Sequence, residues 1–316
     1  MTGFGSRFDM RKYIPALFTV LIIVAMVGTS ELMHEKEVIF PEIAAIAVGA
    51  MLAPKFTWNT SKLRIFIFIM LAAAIGMLIV FIGPGPLWLQ LIIAFSVSQL
   101  LLAYSGTSFA PMASAVVLPV MLQTRTPIYL LSAFIFTVGI LLLRIVLERL
   151  NIREPVTYNR LGKPEGKEEW LFILKKIAAA SAMIIAAVLL GWPFAVAPPI
   201  LVAFTEFAEK SSKARRKPVK VVILISVCAA VGAMSRYLFT MTLGLPLTLA
   251  ALIAAVVIIA IIYGFGMFVP PAGAMGILAM LVPEEVVLFY PVMSLVGTGI
   301  FMVLAKAFFK KKKKAD

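Results

Sequence analysis

The chain is a series of long apolar runs separated by short polar joints. The runs over 65–82 and 247–262 carry no charge. As helix they reach, or nearly reach, across a hydrocarbon core of about 30 Å. Neither run alternates with the two-residue rhythm of a barrel strand, so the pattern predicts helices. Six apolar segments stand in each half. The first half has them at about 14–30, 40–54, 63–83, 87–104, 109–122 and 127–147. The second has them at about 171–191, 194–208, 219–240, 246–263, 267–282 and 286–308. Long and short segments come in the same order in both halves. The second and fifth of each are short, at roughly 14 to 16 residues, or about 22 Å as helix.

Prolines reinforce this duplication. Pro41 and Pro199 open the second segments, and Pro111 and Pro271 mark the fifth. The sixth segments begin at Pro127 and Pro291. Pro41 to Pro111 is 70 residues and Pro199 to Pro271 is 72. The expected fold is an all-α polytopic membrane protein. It has two parallel pseudo-repeats of about six membrane segments each, with short or broken second and fifth segments. Residues 1–150 make the first repeat, 151–170 a cytoplasmic linker, and 171–316 the second repeat with a basic cytoplasmic tail. The polar stretch 148–170 carries Pro155, Gly162, Pro164 and Gly166, which suits such a linker.

Composition agrees: 62% of residues are hydrophobic, 14% are charged, and mean hydropathy is +1.04. Charge adds orientation. The net charge of +14 would suit a nucleic-acid partner, but its basic residues fall in short joints between apolar runs. With twelve crossings and the N-terminus inside, 26 of the 29 Lys and Arg residues are cytoplasmic. Only Lys36, Arg125 and Arg236 then lie outside. Making the short segments re-entrant changes the division to 18 and 11. The positive-inside rule therefore favours twelve crossings in the cell membrane, both termini cytoplasmic, and no nucleic-acid partner. An even number of crossings per half makes the repeats parallel. The lysine run 310–314 suits an anchor beside anionic headgroups. Arg7, Arg11 and Lys12 precede the first run as in a signal peptide, but a matching run follows Lys167 in mid-chain, so the first is read as a retained helix.

Little conventional catalytic chemistry is present. Cys228 is the one cysteine, and His34, the one histidine, falls in an outer joint. No phosphate loop, HExxH motif, Cys/His cluster or convergent acid–base set occurs. The expectation is no enzyme, no cofactor and no metal site. What remains is the proline-opened segments. A helix beginning inside a membrane presents N–H groups and a positive dipole end to an anion. Pro111, Ala113, Ser114 and the preceding Ser108 form one candidate cluster, and Pro270, Pro271, Gly273 and Ala274 the other. Three ionisable residues near membrane depth join them: Glu42, Glu206 and Arg236. Each also has a plainer use, as a dipole partner, an interfacial charge or a snorkelling cation.

The second cluster, VPPAGAMGIL followed by YPVMSLVGTGIFMVLA, resembles the HPP family of integral membrane proteins. That family is named for a His-Pro-Pro motif running into PPAGA and a proline-opened closing helix. The resemblance covers most of the second half, and extends to the first through APMASA and PIYLLSAFIF. Val269 stands where the family has histidine, and Ala110 where the first family proline would stand. Members are implicated in nitrite transport. The resemblance implies a permease for a small anion such as nitrite or nitrate, with its site between the repeats. Two other readings fit the same pattern: a membrane subunit or scaffold needing a partner chain, and a lipid or organic-acid translocator. The bilayer and a small solute are the expected partners, with room for a homo-oligomer.

Overall fold

The computed structural model describes residues 10–83, 85–209, 212 and 214–309. Arg7, Lys210, Lys213 and the lysine run 310–314, all used in the charge count, lie outside them. Among the described residues there are twelve α-helices and no strand. Eight are long and apolar enough to cross a membrane. These are α1 (Met10–Met33), α3 (Lys62–Ile82), α4 (Leu87–Ser105), α6 (Ile128–Arg149), α7 (Lys167–Leu189), α9 (Pro218–Ser235), α10 (Leu247–Phe265) and α12 (Tyr290–Phe308). A wider π-helical turn, Arg236–Thr242, extends α9.

The other four are α2 (Glu42–Ala47), α5 (Pro111–Leu122), α8 (Pro198–Ala208) and α11 (Pro270–Leu278). A buried π turn, Val48–Leu52, extends α2. They are the short second and fifth segments of the apolar pattern. Proline at the first turn of α5, α8 and α11 starts each helix where a backbone N–H would lack a partner. Gly106 and Gly266, both in the left-handed region at φ 67° and 60°, end α4 and α10.

The layering suits lipid. Long helices turn large apolar side chains outward: Leu78, Phe81, Leu131, Leu142 and Val303 are all more than half exposed. In water so much apolar surface would be unstable, while in a bilayer it is solvated. The short helices form the interior. All of α2 and α11 is buried, as is α8 apart from Glu206. In α5, Pro111 through Met121 are buried.

Contacts on either side of the short helices tie them to opposite ends of the long ones. Before α2, Val38 accepts a bond from Ser132 near the start of α6. At its far end, the carbonyls of Ala50, Met51 and Leu52 are bonded by Arg144 and Arg153 at the other end of α6. Two buried guanidinium groups thus close a helix C-terminus, where the dipole is negative. Before α5, Phe109 packs edge-on against Trp58, and at its end Gln123 bonds Gln90 at the start of α4. Arg236 similarly bonds the carbonyls of Ala279 and Val282 beyond α11. For α2 and α5 the flanking contacts therefore lie at opposite ends of neighbouring long helices. For α8, Trp192 before its start meets Phe289, while Glu209 at its end pairs with Lys176 at 3.5 Å.

Close backbone approach sets the packing of two helix pairs. A Cβ on Gly76 of α3 would lie 2.3 Å from the Val116 carbonyl oxygen of α5. One on Gly232 of α9 would lie 2.0 Å from that of Gly276 in α11. Only glycine permits these separations. Across the halves, α1 packs on α10 and α4 on α7, while α2 packs on α11 and α5 on α8.

Candidate functional site

The first two turns of the four short helices meet in the interior. Glu42, the first residue of α2, accepts a hydrogen bond from the Ser114 hydroxyl of α5. Gly273 of α11 lies against α2, where a Cβ would stand 2.7 Å from Val48 Cγ2 and 3.0 Å from the Ala44 oxygen. Ala110 and Ala113 pack against Val202 of α8. The small side chains predicted around Pro111 and Pro271 are therefore what lets these helix starts touch. A side void beside the junction, between Ala44, Gly273 and Ile258, measures about 10 Å³, near the size one water needs.

The sequence candidates divide into two sets. Pro111, Ala113, Ser114, Pro270, Pro271, Gly273, Ala274 and Glu42 are buried, in or beside this junction. Ser108 is exposed in the loop before α5, where its Oγ accepts from the Asn59 N–H at 2.8 Å. Glu206, half-buried, lies near the end of α8 and accepts from Trp58 Nε1 at 3.2 Å. Arg236 faces the interior but sits beyond the opposite end of α11 from Gly273.

The helix starts offer fewer free donors than their dipoles suggest. Pro111, Pro270 and Pro271 have no N–H. That of Ala113 bonds the Ala110 carbonyl at 2.9 Å, and that of Ala272 bonds Val269 at 3.0 Å. An anion here would meet the positive ends of peptide dipoles, the Ser114 hydroxyl and the Glu42 carboxyl. The junction contains one exceptional atom. Glu42 is 1% exposed, and its Oε2 has no hydrogen-bond partner.

No family model matches the chain, and no curated protein or solved structure shows detectable similarity to it.

Several supporting residues were not singled out from the sequence. Tyr129 donates to the Ala115 carbonyl at 3.0 Å. That carbonyl would otherwise lose its helical donor, because Pro119 stands four residues on. Tyr290 donates to the Met275 carbonyl at 2.7 Å. Tyr129 stands two residues after Pro127 and Tyr290 immediately before Pro291, and that nearness to the prolines of the sixth segments was the available signal. Trp58 sits in a polar loop, APKFTWNTSK, yet is 4% exposed. Its ring covers Gly49, where a Cβ would come within 2.3 Å of it. A tryptophan among turn residues is the clue, since its indole N–H needs a buried partner.

Proposed function

We propose that the chain is a membrane transporter for a small anion such as nitrite or nitrate, working at the junction of the four short helices. The observation that carries this is the buried meeting of helix starts around Glu42 and Ser114. Interrupted helices that bring dipole ends and a few polar groups to the interior of a bundle are a recurrent solute site. The HPP-like PPAGA stretch forms one wall of this junction, through Gly273.

The reading includes two parallel repeats that rock against each other. Its support lies in features and contacts that occur in both halves. Pro86 and Pro246, Gly106 and Gly266, and Pro111 and Pro271 are each 160 residues apart, at the starts and ends of corresponding helices. Tyr129 and Tyr290 make the same bond to the corresponding helix and the same edge-on contact, with Phe40 and Phe194. Buried Thr137 and Thr298 on α6 and α12 both have hydroxyls without a partner. Cross-half packing is also reciprocal, as α2 meets α11 where α5 meets α8.

Purified protein in liposomes should move nitrate or nitrite down a gradient, faster than protein-free vesicles. Absence of flux for both ions overturns the anion reading. Orientation is checked separately, with a maleimide that does not cross membranes. A cysteine at Lys213 should be labelled only from the cytoplasmic side and one at Glu285 only from outside.

One observation favours a lipid or organic-acid reading as a second. An apolar cleft of about 400 Å³ lies between α1 and α10, lined by Leu17, Val20, Val256 and Ile259. A scramblase assay with labelled phospholipid separates the two.

A further inference from the structure

The charge on Glu42 conflicts with an anion at the same junction, and the conflict has a direct chemical resolution. Glutamates that stabilise this fold have conspicuous partners. Glu148 pairs with Lys62 and Arg144, Glu209 with Lys176, and Glu31 takes the backbone N–H groups of Leu247 and Thr248. Glu42 has no cation and no N–H from another element, only its own backbone N–H beside it. Ser114 serves one oxygen, and the other is bare in an apolar interior. A negative charge held there is costly, and it would repel an approaching anion.

No cation on the neighbouring elements offsets that charge. The spans of α5, α11 and the π turn Val48–Leu52 contain no titratable residue. From α6 comes Tyr129, whose hydroxyl is engaged with Ala115. Arg144 and Glu148 of α6 belong to the far end of α2, where Arg144 bonds Ala50. The charged residues of α1 lie toward its ends: Arg11 and Lys12 at one, Glu31 at the other. Among the described residues no group of three His, Cys, Asp or Glu side chains stands together for a metal ion. A proton is the smallest cation that removes the charge, and the carboxyl can hold it alone.

We propose that Glu42 carries a proton with each anion, which makes the protein a proton–anion symporter. This rests on the transport reading above. The carboxylate takes one proton from the side facing the anion, and the neutral acid lets the anion settle beside Ser114. After the repeats rock, the anion leaves, and the carboxyl releases its proton to the same side. No bond within the anion changes. One proton and one monovalent anion cross together, so the cycle moves no net charge.

Nitrate is the suitable probe, because it stays ionised and does not cross the bilayer as an acid. Full-length protein is placed in liposomes with a pH dye inside and voltage clamped by potassium and valinomycin. An inward nitrate gradient should acidify the interior in step with nitrate uptake. Glu42→Gln, a fixed neutral side chain, should reduce acidification to that of protein-free vesicles, whatever nitrate flux it retains. Glu42→Asp should restore it in part. A monodisperse elution profile identifies folded variants. Infrared difference spectra at high and low pH should lose a buried carboxylic-acid band in Glu42→Gln, independently of transport. If nitrate moves without acidification, or with a sodium gradient in its place, the proton proposal is overturned and transport stands. Acidification that persists in Glu42→Gln overturns it equally. If the wild-type protein moves no nitrate, the transport reading falls and takes the coupling with it.

Discussion

The two halves of the molecule share their supporting contacts and differ in their interior chemistry. Gly76 and Gly232 bring the third helix of each half onto a carbonyl of the fifth. Tyr129 and Tyr290 each bond another carbonyl of that same fifth helix. The residues at the junction are not matched. Glu42 follows Pro41, whereas Ile200 follows Pro199, and Ser114 stands 160 residues before Ala274. The polar pair thus belongs to the first half alone, facing apolar counterparts in the second. Contacts that hold the halves in shape recur, whereas the Glu42–Ser114 pair occurs once.

The most severe test of the shared scaffold is at its glycines. Gly76→Leu and Gly232→Leu each force a side chain into a space occupied by a helix carbonyl. Each should cost about 3 kcal/mol or more by overpacking. Thermal unfolding in detergent, read by loss of the monodisperse peak, measures this. Comparable losses in the two halves would uphold their correspondence, and a tolerated leucine at either site would break it.

Next come the tyrosines. Tyr129→Phe and Tyr290→Phe keep the rings and remove the hydroxyls, leaving a buried carbonyl unpaired at a cost of about 2 kcal/mol. Tyr129→Phe should be the worse of the two. Pro119 denies Ala115 its helical donor, whereas Ala279, at the matching position, has an N–H.

Much of this scaffold was legible as pattern. Apolar runs located the eight long helices, and paired prolines located the four short ones. Twelve segments with short second and fifth members is what the fold contains. Which residues join across the interior was not legible. Glu42 and Ser114 lie 72 residues apart, and nothing local to either marks the contact. Arg236 shows the limit from the other side. A lone arginine near a membrane helix end reads equally as an anion ligand or a structural cation, and only the position of the Ala279 and Val282 carbonyls assigns it to the end of α11. The free N–H groups expected at the proline-opened starts were likewise invisible as already engaged, because the tight bonds from Ala113 to Ala110 and from Ala272 to Val269 depend on local backbone geometry.

The difference between the halves is sharpened by exchanging hydroxyls. Ser114→Ala removes the donor to Glu42, and a hydrogen bond to a charged or anionic group is worth roughly 1.5 kcal/mol or more. Nitrate flux should fall about tenfold, the equivalent of 1.4 kcal/mol. Ala274→Ser, at the matched place, should leave flux within about twofold, since no carboxyl has been placed beside it. Equal effects at the two positions would return the site to both halves.

The smallest expected effect concerns the tie between the halves. Glu31, near the end of α1, reaches across to α10 and accepts from the N–H groups of Leu247 and Thr248 at 2.8 and 3.0 Å, and from the Thr248 hydroxyl at 2.6 Å. It caps a helix in the other half, where the dipole is positive. The corresponding start of α4 has no side-chain cap from its own N-cap residue, Pro86. Glu31→Gln retains a carbonyl oxygen and should weaken this tie by a few tenths of a kcal/mol, whereas Glu31→Ala should cost about 1 kcal/mol. The readout is the difference between the two variants in thermal midpoint, measured at low and high salt. A charge–dipole contribution shrinks with salt, while loss of the bonds themselves does not. If Glu31→Ala matches the wild-type protein, the cap contributes nothing. The halves are then held together by the packing of α1 on α10, α4 on α7 and the four short helices, with the remaining cross-half bonds such as Trp58 to Glu206.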